Sequence, residues 1–278
     1  QRQMCIRDRF WTTKESDDFK FEPLKKQPEP RMLIAHSQNG LEVQSFTAGQ
    51  HSHEHAHGEA KYEKYVYSTT FGFSTPKGSV LLKQGAYDNT LAVAESENFW
   101  QTAFKYDDYA IHDNYVYSDW QPYDDVEIKN FVIPAMPWHV RVHEVNTGRP
   151  LHLAEGSFSA PDSGASDEYE MKTGADNAVF YHSRVGITGL VGLSKELTTE
   201  LSTPEPNTNL YFNKTKIPLQ TGVLEPGKYI LVSLYLGDRE LESLDADGNI
   251  VVPEVKLDGR ELTITSNNHT SSVTLAEF

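Results

Sequence analysis

Three polar side chains near the middle of the chain alternate with apolar ones, a spacing that could support chemistry. His139, Arg141 and His143 fall on one face of an extended strand, because successive side chains of a strand point to opposite faces. This face is a cationic, hydrogen-bonding stripe, and arginine and histidine can bind a carboxylate through charge-assisted hydrogen bonds. The other face is expected to be core, and it carries Trp138, Val140 and Val142.

The carboxylates near this stripe are isolated in the sequence. Glu127, Glu144 and Glu155 alternate with apolar residues on the surrounding strands, a position that usually leaves a carboxylate in solvent. Arg141 could therefore pair with Glu127 or Glu155 of a neighbouring strand on a solvated sheet face, since opposite charges often pair across strands. Binding of an anionic ligand by the stripe and this structural pairing remain alternatives.

A second candidate is a segment in which His51, His53, His55 and His57 occupy every second position. Imidazole is the commonest nitrogen ligand of metals, so a metal site is one interpretation. An extended chain would space alternate histidines roughly 7 Å apart, too far for all four to reach one ion without a bend. Polar neighbours favour a loop over a strand here. A solvated or substrate-facing loop is the preferred interpretation, and no metal is expected.

The residues 125–160 that hold the stripe predict three consecutive strands and two turns. The first strand is apolar, and Pro134 followed by Pro137 is expected to end it, because proline cannot donate to a sheet ladder. The second strand begins at Trp138. A turn at residues 146–148 then reverses the chain, and a third strand over residues 151–158 carries Glu155.

The rest of the chain is dominated by short strand signals. Helical signals are almost missing, apart from residues 194–201. The pattern predicts an all-β fold, a large antiparallel β-sandwich of about fifteen short strands over residues 32–278. The further predicted strands are 32–34, 41–46, 61–73, 79–82, 90–94, 99–106, 110–120, 178–193, 209–213, 227–236, 255–257 and 261–266.

Composition excludes some functions. The net charge of −15 makes general binding to a nucleic-acid backbone a poor hypothesis. No run approaches the eighteen or so apolar residues of a membrane span, so neither nucleic acid nor membrane is an expected partner. Cys5 is the single cysteine, which rules out an internal disulfide framework and leaves the compartment unassigned.

The beginning of the chain is expected to lie outside the fold. Residues 1–9, QRQMCIRDR, look like translated sequencing-adapter read-through of the kind seen at the broken ends of metagenomic genes, so we assign them no folded role. Residues 10–31 are polar, mixed in charge and proline-terminated, which is typical of a linker. On this interpretation the chain is a gene fragment that lacks a preceding domain.

Several segments together resemble one family. FWTTKE from Phe10, AKYEKYVYSTTFGFS from Ala60 and DVEIKNFVIPAMPWHVRVHEVNTGRPLHLAEGSF from Asp125 are similar, in order and spacing, to the C-terminal domain of bacterial and fungal proteins of domain-of-unknown-function family 2264. The resemblance covers about residues 10–278. It implies a C-terminal β-sandwich joined to an N-terminal (α/α) toroid, with residues 10–15 as the exit from a toroid that this chain has lost.

The resemblance also implies a function. Toroid-plus-sandwich proteins include polysaccharide lyases and some glycoside hydrolases, and the family is associated with the β-glucuronidases of glycoside hydrolase family 154. The chain would then be an accessory domain shaping the substrate cleft of an enzyme acting on uronic-acid-containing oligo- or polysaccharides. The catalytic residues would lie in the toroid in cis, with no cofactor and no activity expected of this chain alone. Candidate substrate-binding residues are His55, His57, Lys61, Tyr62, His139, Arg141 and His143.

Two other functions remain open. An autonomous carbohydrate-binding module would expose coplanar aromatic residues, for which Tyr115, Tyr117 and Trp120 are the candidates, although ordinary sheet packing explains these residues as well. A purely structural sandwich would only support the toroid. An exposed aromatic platform would favour the binding module, and an apolar patch bordered by residues 51–62 would favour the accessory domain.

Overall fold

A computed structural model describes the backbone of residues 33–36, 43–53, 63–75, 78–81, 91–94, 106–156, 169–171, 175–183, 186–202, 217–266 and 269–278. These residues contain nineteen strands and no helix, so the prediction of an all-β fold is confirmed. No helix in the described ranges has the length and apolar character needed to cross a membrane.

The strands fall into four antiparallel sheets. Those of the first half of the chain are β1 (Leu33–His36), β2 (Val43–His53), β3 (Glu63–Thr75), β4 (Gly78–Leu81), β5 (Leu91–Ala94), β6 (Tyr106–Ile111), β7 (Val116–Tyr123), β8 (Val126–Ala135), β9 (Trp138–Thr147) and β10 (Leu151–Gly156). Those of the second half are β11 (Tyr169–Met171), β12 (Ala178–Ser183), β13 (Gly186–Gly192), β14 (Leu197–Ser202), β15 (Ile217–Leu224), β16 (Gly227–Asp238), β17 (Glu254–Asp258), β18 (Glu261–Ser266) and β19 (His269–Thr274).

An eight-stranded sheet is the centre of this arrangement, and its order is β11-β12-β13-β16-β9-β8-β7-β6. A four-stranded sheet of order β14-β15-β10-β5, called the inner sheet below, faces it. The other two sheets have the orders β1-β2-β3-β4 and β17-β18-β19. The chain passes from the central sheet to the inner sheet between β9 and β10, directly after the polar stripe.

Both faces of the central sheet are covered, which explains why neither face of β9 is solvated. On one face, Val145 of β9 and Ile128 of β8 pack with Leu153 of β10 in the core shared with the inner sheet. On the opposite face, Trp138 and other even-numbered β9 residues pack in a second core with residues of β18 and β19. A smaller apolar cluster joins Leu33 and Ala35 of β1 to Ile111, Val116 and Val132.

The first strand of the 125–160 segment is longer than the sequence predicts. Pro134 does not end β8, which continues to Ala135 and pairs Pro134 with His139 of β9. The pairing of β8 with β7 has already stopped at Val132, so Pro134 lies beyond the part of β8 that has neighbours on both sides. Proline is tolerated at such a position because one side of the strand needs no ladder donor.

Two other local predictions are wrong. Residues 194–201, predicted as helical, contain most of strand β14, which pairs with β15 and buries Leu197 in the inner core. Pairing and burial override the weak helical preference of this segment. The residues from Gly49 to His53, predicted as loop, belong to β2 and pair with β3. The predicted strand at 209–213 and residues 99–105 of another lie outside the described residues.

Candidate functional site

The polar stripe of β9 lies in the interior of the sandwich. His139, Arg141 and His143 have 0%, 0% and 1% of their surface exposed. They point at the inner sheet because they share the face of Val145, which packs in the core between the two sheets. With polar residues from β8, β10, β15 and β16 they form what we call the buried polar cluster. Its members are Asn130, His139, Arg141, His143, Glu155, Gln220, Ser233 and Tyr235.

An ion pair across the two sheets is the centre of the cluster. Nη1 of Arg141, on β9, donates to Oε1 of Glu155, on β10. The second carboxylate oxygen, Oε2, lies 2.9 Å from Nε2 of His143 and accepts a 3.0 Å hydrogen bond from Nε2 of Gln220. Both oxygens of this buried carboxylate are therefore occupied by protein donors.

These partners determine the charge of Glu155. Burial by itself would raise its pKa, but the charge of Arg141, then that of His143, and hydrogen bonds from His143 and Tyr235 outweigh this effect. The pKa of Glu155 is held well below its usual value. The carboxylate is ionised at neutral pH, and its charge is balanced inside the protein.

Aromatic contacts fix the other side of Arg141. Its Cζ lies 4.3 Å from the centroid of the Tyr235 ring, and the same ring stacks on His139 with centroids 5.1 Å apart and planes 11° apart. The Tyr235 hydroxyl accepts a 2.8 Å hydrogen bond from Gln220, whose side-chain oxygen accepts one of 2.8 Å from Ser233. Burial, followed by the charge of Glu155, raises the pKa of Tyr235 well above its ordinary value.

His139 is a neutral acceptor in this arrangement. Its pKa is lowered well below the ordinary value by burial and by the adjacent charge of Arg141. Its Nε2 accepts a 3.2 Å hydrogen bond from Nε of Arg141. The neutral imidazole thus orients the guanidinium that holds Glu155.

His143 links the ion pair to β8. Its Nδ1 lies 2.6 Å from Oδ1 of Asn130, and the Asn130 amide donates to Ser118 over 3.3 Å. Because that second bond fixes which end of the amide faces His143, both ring nitrogens of His143 face oxygen atoms. The cluster is therefore hydrogen-bonded continuously from β7 to β15.

This geometry supports one of the two interpretations of Arg141, the pairing with a carboxylate of the protein. Pairing with Glu155 is confirmed, but the expected solvated face is wrong, and so is the expected exposure of Glu155, which is 1% exposed. Arg141 and Glu155 belong to facing sheets, whereas the sequence suggested neighbours in one sheet. Glu127 is exposed, as expected. A role in substrate binding for His139, Arg141 and His143 stays a prediction, and the structure places all three away from the surface.

The other candidate residues fall outside the described part of the chain. His55, His57, Lys61 and Tyr62 lie between the last residue of β2, His53, and the first of β3, Glu63. Among the residues that the structure does describe, no group of three or more His, Cys, Asp or Glu side chains is arranged to hold a metal ion.

Sequence reasoning missed half of the buried polar cluster. Asn130, Gln220, Ser233 and Tyr235 are uncharged, and strands commonly carry such residues on a solvated face. One signal was available: Ser233 and Tyr235 interrupt the apolar run ILVSLYL of β16. Polar residues within such a run indicate a buried strand with internal hydrogen bonds.

The aromatic residues that would mark a binding module are largely internal. Tyr115 and Tyr117 are 3% and 5% exposed, as the packing explanation predicts. The hydroxyl of Tyr115 donates a 2.6 Å hydrogen bond to Glu277, and burial together with this bond raises its pKa to about 12. The side chain of Trp120 is not among those described. Tyr115 and Tyr117 therefore offer no open surface to a sugar.

The comparison with protein families gives one match. The family model described as the DUF2264 C-terminal domain matches residues 23–271, most of the chain. The match starts after residues 10–15, the expected exit from a toroid. No curated protein sequence matches the chain.

Solved structures show a distant likeness. A heparan sulfate lyase HepC mutant from Pedobacter heparinus is 14% identical, with a TM-score of 0.48 over 88% of this chain and 43% of its own. A heparinase III gene product with methylated lysines is 12% identical, with a TM-score of 0.47 over 88% of this chain and 40% of its own. A 4-α-glucanotransferase from Thermococcus litoralis is 8% identical, with a TM-score of 0.41 over 77% and 40%. The chain spans about two fifths of each protein, and no activity is inferred from likeness this distant.

Proposed function

The chain belongs to the DUF2264 C-terminal domain family, and from this membership we propose that it is the accessory β-sandwich of a carbohydrate-active enzyme. The proposed substrates are glycans that contain uronic acid. The domain shapes the substrate cleft of a catalytic (α/α) toroid in the same polypeptide. The chemistry itself takes place in that toroid.

One observation carries the accessory role: Glu155 is buried, and its carboxylate is fully engaged. Glycoside hydrolysis needs a carboxylic acid that stays protonated near neutral pH, and enzymes achieve this by raising its pKa. Glu155 is buried as such an acid often is, but Arg141 and His143 lower its pKa instead. A carboxylate in this state cannot deliver a proton to a leaving group. We therefore propose that the cluster stabilises the sandwich, since it joins the two sheets, and that it takes no part in catalysis.

The same observation supports a structural role for the β9 residues. Arg141 could bind a sugar carboxylate only if it gave up Glu155 and if the two sheets separated. We therefore propose His139, Arg141 and His143 as residues that hold the sandwich together. The substrate-facing part is proposed to be the segment with His55, His57, Lys61 and Tyr62, whose side chains can donate hydrogen bonds to a uronate.

The test is the activity of a longer family member that contains both domains. Its turnover is measured on a glycan ending in glucuronic acid and on the same glycan ending in glucose. We expect turnover of the uronate only, and substitution of the residues equivalent to His55, His57 and Lys61 with alanine should raise KM more than it lowers kcat. Equal turnover of both glycans would contradict the proposed substrate, and unchanged kinetics would contradict the proposed contact.

A purely structural sandwich is the second candidate function, since the buried polar cluster would join the two sheets in the same way in either case. The two are separated by the same triple substitution. A structural sandwich predicts no change in KM, because its surface would not meet the substrate.

A further inference from the structure

The sheet β17-β18-β19 ends in a strand with an open outer edge. β19 is the last strand in the order of this sheet, and among the strands that the structure describes it pairs only with β18. Thr270, Ser272 and Thr274 are exposed, whereas Val273 is buried in the core beneath the sheet. The strand is therefore held on the domain by its inner face, while its outer face and edge are accessible.

The backbone groups at this edge belong to the three exposed residues. Leu275, the residue after β19, donates its N–H to the carbonyl of Arg260 over 2.9 Å, so its backbone groups point towards β18. Successive residues of an antiparallel strand direct these groups alternately to one side and to the other. The N–H and carbonyl groups of Thr270, Ser272 and Thr274 therefore point away from β18, towards the open edge.

β19 lacks the features that protect the other edges. An open edge can pair with another chain, and proteins usually prevent this with charged side chains or by keeping the strand short. Of the other described edge strands, β1, β4, β5 and β11 have four residues or fewer. β6 carries two aspartates, β14 a glutamate, and β17 three charged residues at alternate positions. β19 has six residues, HTSSVT, with no Asp, Glu, Lys or Arg among them.

This edge is complementary to itself. If a twofold axis passes through Ser272, this residue pairs with its counterpart in a second copy, and Thr270 of each copy pairs with Thr274 of the other. Each outward-pointing N–H then meets an outward-pointing carbonyl, and none of these groups is left without a partner. The exposed side chains that face each other are threonine with threonine and serine with serine, so no like charges are opposed within the pair.

The side chains of this edge are already ordered within one copy. Oγ1 of Thr265, on β18, lies 3.2 Å from Oγ1 of Thr270, and Oγ1 of Thr263 lies 3.2 Å from Oγ of Ser272. The hydroxyl of Thr274 donates to Glu261. Contacts within the hairpin thus fix the side chains before association, which lowers the entropy that pairing would cost.

We propose that this chain forms a twofold-symmetric dimer by antiparallel pairing of its β19 strands, which joins two three-stranded sheets into one continuous sheet. A second copy is the partner that the edge itself specifies, because it matches the edge in length, in the parity of its backbone groups and in its lack of charge. A single pair of short strands gives a small contact area, so the dimer is expected to be weak and to form only at high protein concentration.

The experiment is sedimentation velocity of this chain over a concentration series, roughly 1–300 µM, the range in which a weak dimer dissociates. We expect the average mass to rise from that of one chain towards that of two. Ser272→Pro removes the N–H at the centre of the pairing and should abolish the dimer. It leaves the β18–β19 hydrogen bonds intact, since proline is tolerated where the N–H points away from the sheet. Ser272→Ala keeps this N–H and is the matched control, with a dissociation constant within about twofold of the wild type.

Two double variants test the register. Thr270→Lys with Thr274→Lys places lysine opposite lysine in both outer pairs, whereas Thr270→Glu with Thr274→Lys places opposite charges there. We expect the first to be monomeric and the second to dimerise at low salt, with unfolding midpoints that are equal to each other in dilute solution. These variants decide the question if Ser272→Pro lowers the unfolding midpoint.

Three results would overturn the proposal. A wild-type chain that is monomeric over the whole series would show that a second copy does not occupy the edge, whatever else binds there. A dimer that persists in a folded Ser272→Pro protein would place the interface elsewhere. Equal association of the two double variants would contradict the pairing of Thr270 with Thr274.

Discussion

Arg141 of β9 and Glu155 of β10 form an ion pair across two facing sheets, with their side chains 0% and 1% exposed. The strands are consecutive in the chain, yet they belong to different layers of the sandwich. A pair in this position holds the layers in one register, because any shift of β9 relative to β10 would leave two charges buried without partners.

Removing one charge of this pair should destabilise the domain strongly. Glu155→Gln leaves the Arg141 guanidinium buried without a counter-ion, and we expect a loss of roughly 3–5 kcal/mol in the free energy of unfolding. Urea unfolding followed by circular dichroism measures it. Glu127→Gln, at an exposed position, is the control and should change stability by no more than about 0.5 kcal/mol. Equal midpoints for the two variants would show that the pair is not needed.

Replacing both partners should cost less than the single changes suggest. In the double variant Arg141→Met with Glu155→Leu no charge of the pair remains without a partner, although Gln220 and His143 each lose a hydrogen bond. A double-mutant cycle should give a coupling free energy of about 0.5–3 kcal/mol. Strict additivity of the two single variants would mean that the two side chains do not interact.

The lowered pKa of Glu155 predicts acid sensitivity. Since the unfolded carboxyl titrates near 4.5 and the folded one well below it, the stabilisation is complete above the unfolded pKa and is lost as the pH falls below it. The free energy of unfolding of the wild type should fall between about pH 5 and about pH 3, as the carboxyl of the unfolded state takes up its proton. It should fall more steeply than that of Glu155→Gln, which lacks this titrating group. Parallel curves for the two proteins would contradict this assignment.

The lowered pKa of His139 predicts a separate change in the free energy of unfolding, nearer to neutral pH. Its unfolded pKa is about 6.5 and its folded pKa is well below that, so the unfolded state takes up a proton first as the pH falls. Its contribution is present above the unfolded pKa and is lost below it. Only the wild type loses this contribution, because glutamine does not titrate. The difference in the free energy of unfolding between wild type and His139→Gln should therefore shrink as the pH falls from about 7 towards about 5. A pH-independent difference would show that His139 is not held neutral.

Tyr115 connects the central sheet to the end of the described chain. Its hydroxyl donates to Glu277, and the backbone N–H of Ala276 donates to that hydroxyl over 3.1 Å. Tyr115→Phe should cost roughly 1.5–3 kcal/mol, the range for a hydrogen bond to a charged group. Tyr229→Phe, which loses only an exposed bond to a backbone carbonyl, is the control. Because the folded pKa is about 12, wild-type stability should also fall as the pH rises above the unfolded value of 10. A Tyr115→Phe protein as stable as the control would contradict the role of this bond.

The regular parts of the fold could be predicted from the sequence. The alternation around His139 identified β9 and its two faces. A reversal between β9 and β10 was also expected, but the predicted turn at residues 146–148 begins too early, because Asn146 and Thr147 still pair with β16 and the connection spans residues 148–150. Residues 194–201 could not be assigned correctly, because tertiary pairing with β15 decides their conformation. Pro134 was misassigned because its tolerance depends on where the neighbouring strand β7 stops.

The candidate site was found by residue type but not by environment. A stripe of His139, Arg141 and His143 looks the same in sequence whether water or a second sheet faces it. Only the order of the layers shows that Glu155 lies on the inner sheet and faces this stripe. Gln220 and Tyr235, which complete the cluster, lie on strands more than sixty residues from Glu155 in the sequence. Long-range packing of this kind leaves little trace in local periodicity.

The most direct test of the accessory role is turnover of a uronic-acid-terminated oligosaccharide by this chain alone, compared with a longer family member that includes an N-terminal (α/α) toroid. We predict turnover by the longer protein and none by this chain. Turnover by this chain alone would contradict the account. It would mean that the sandwich itself contains a catalytic pair, which Glu155, held ionised by Arg141, cannot supply as the proton donor.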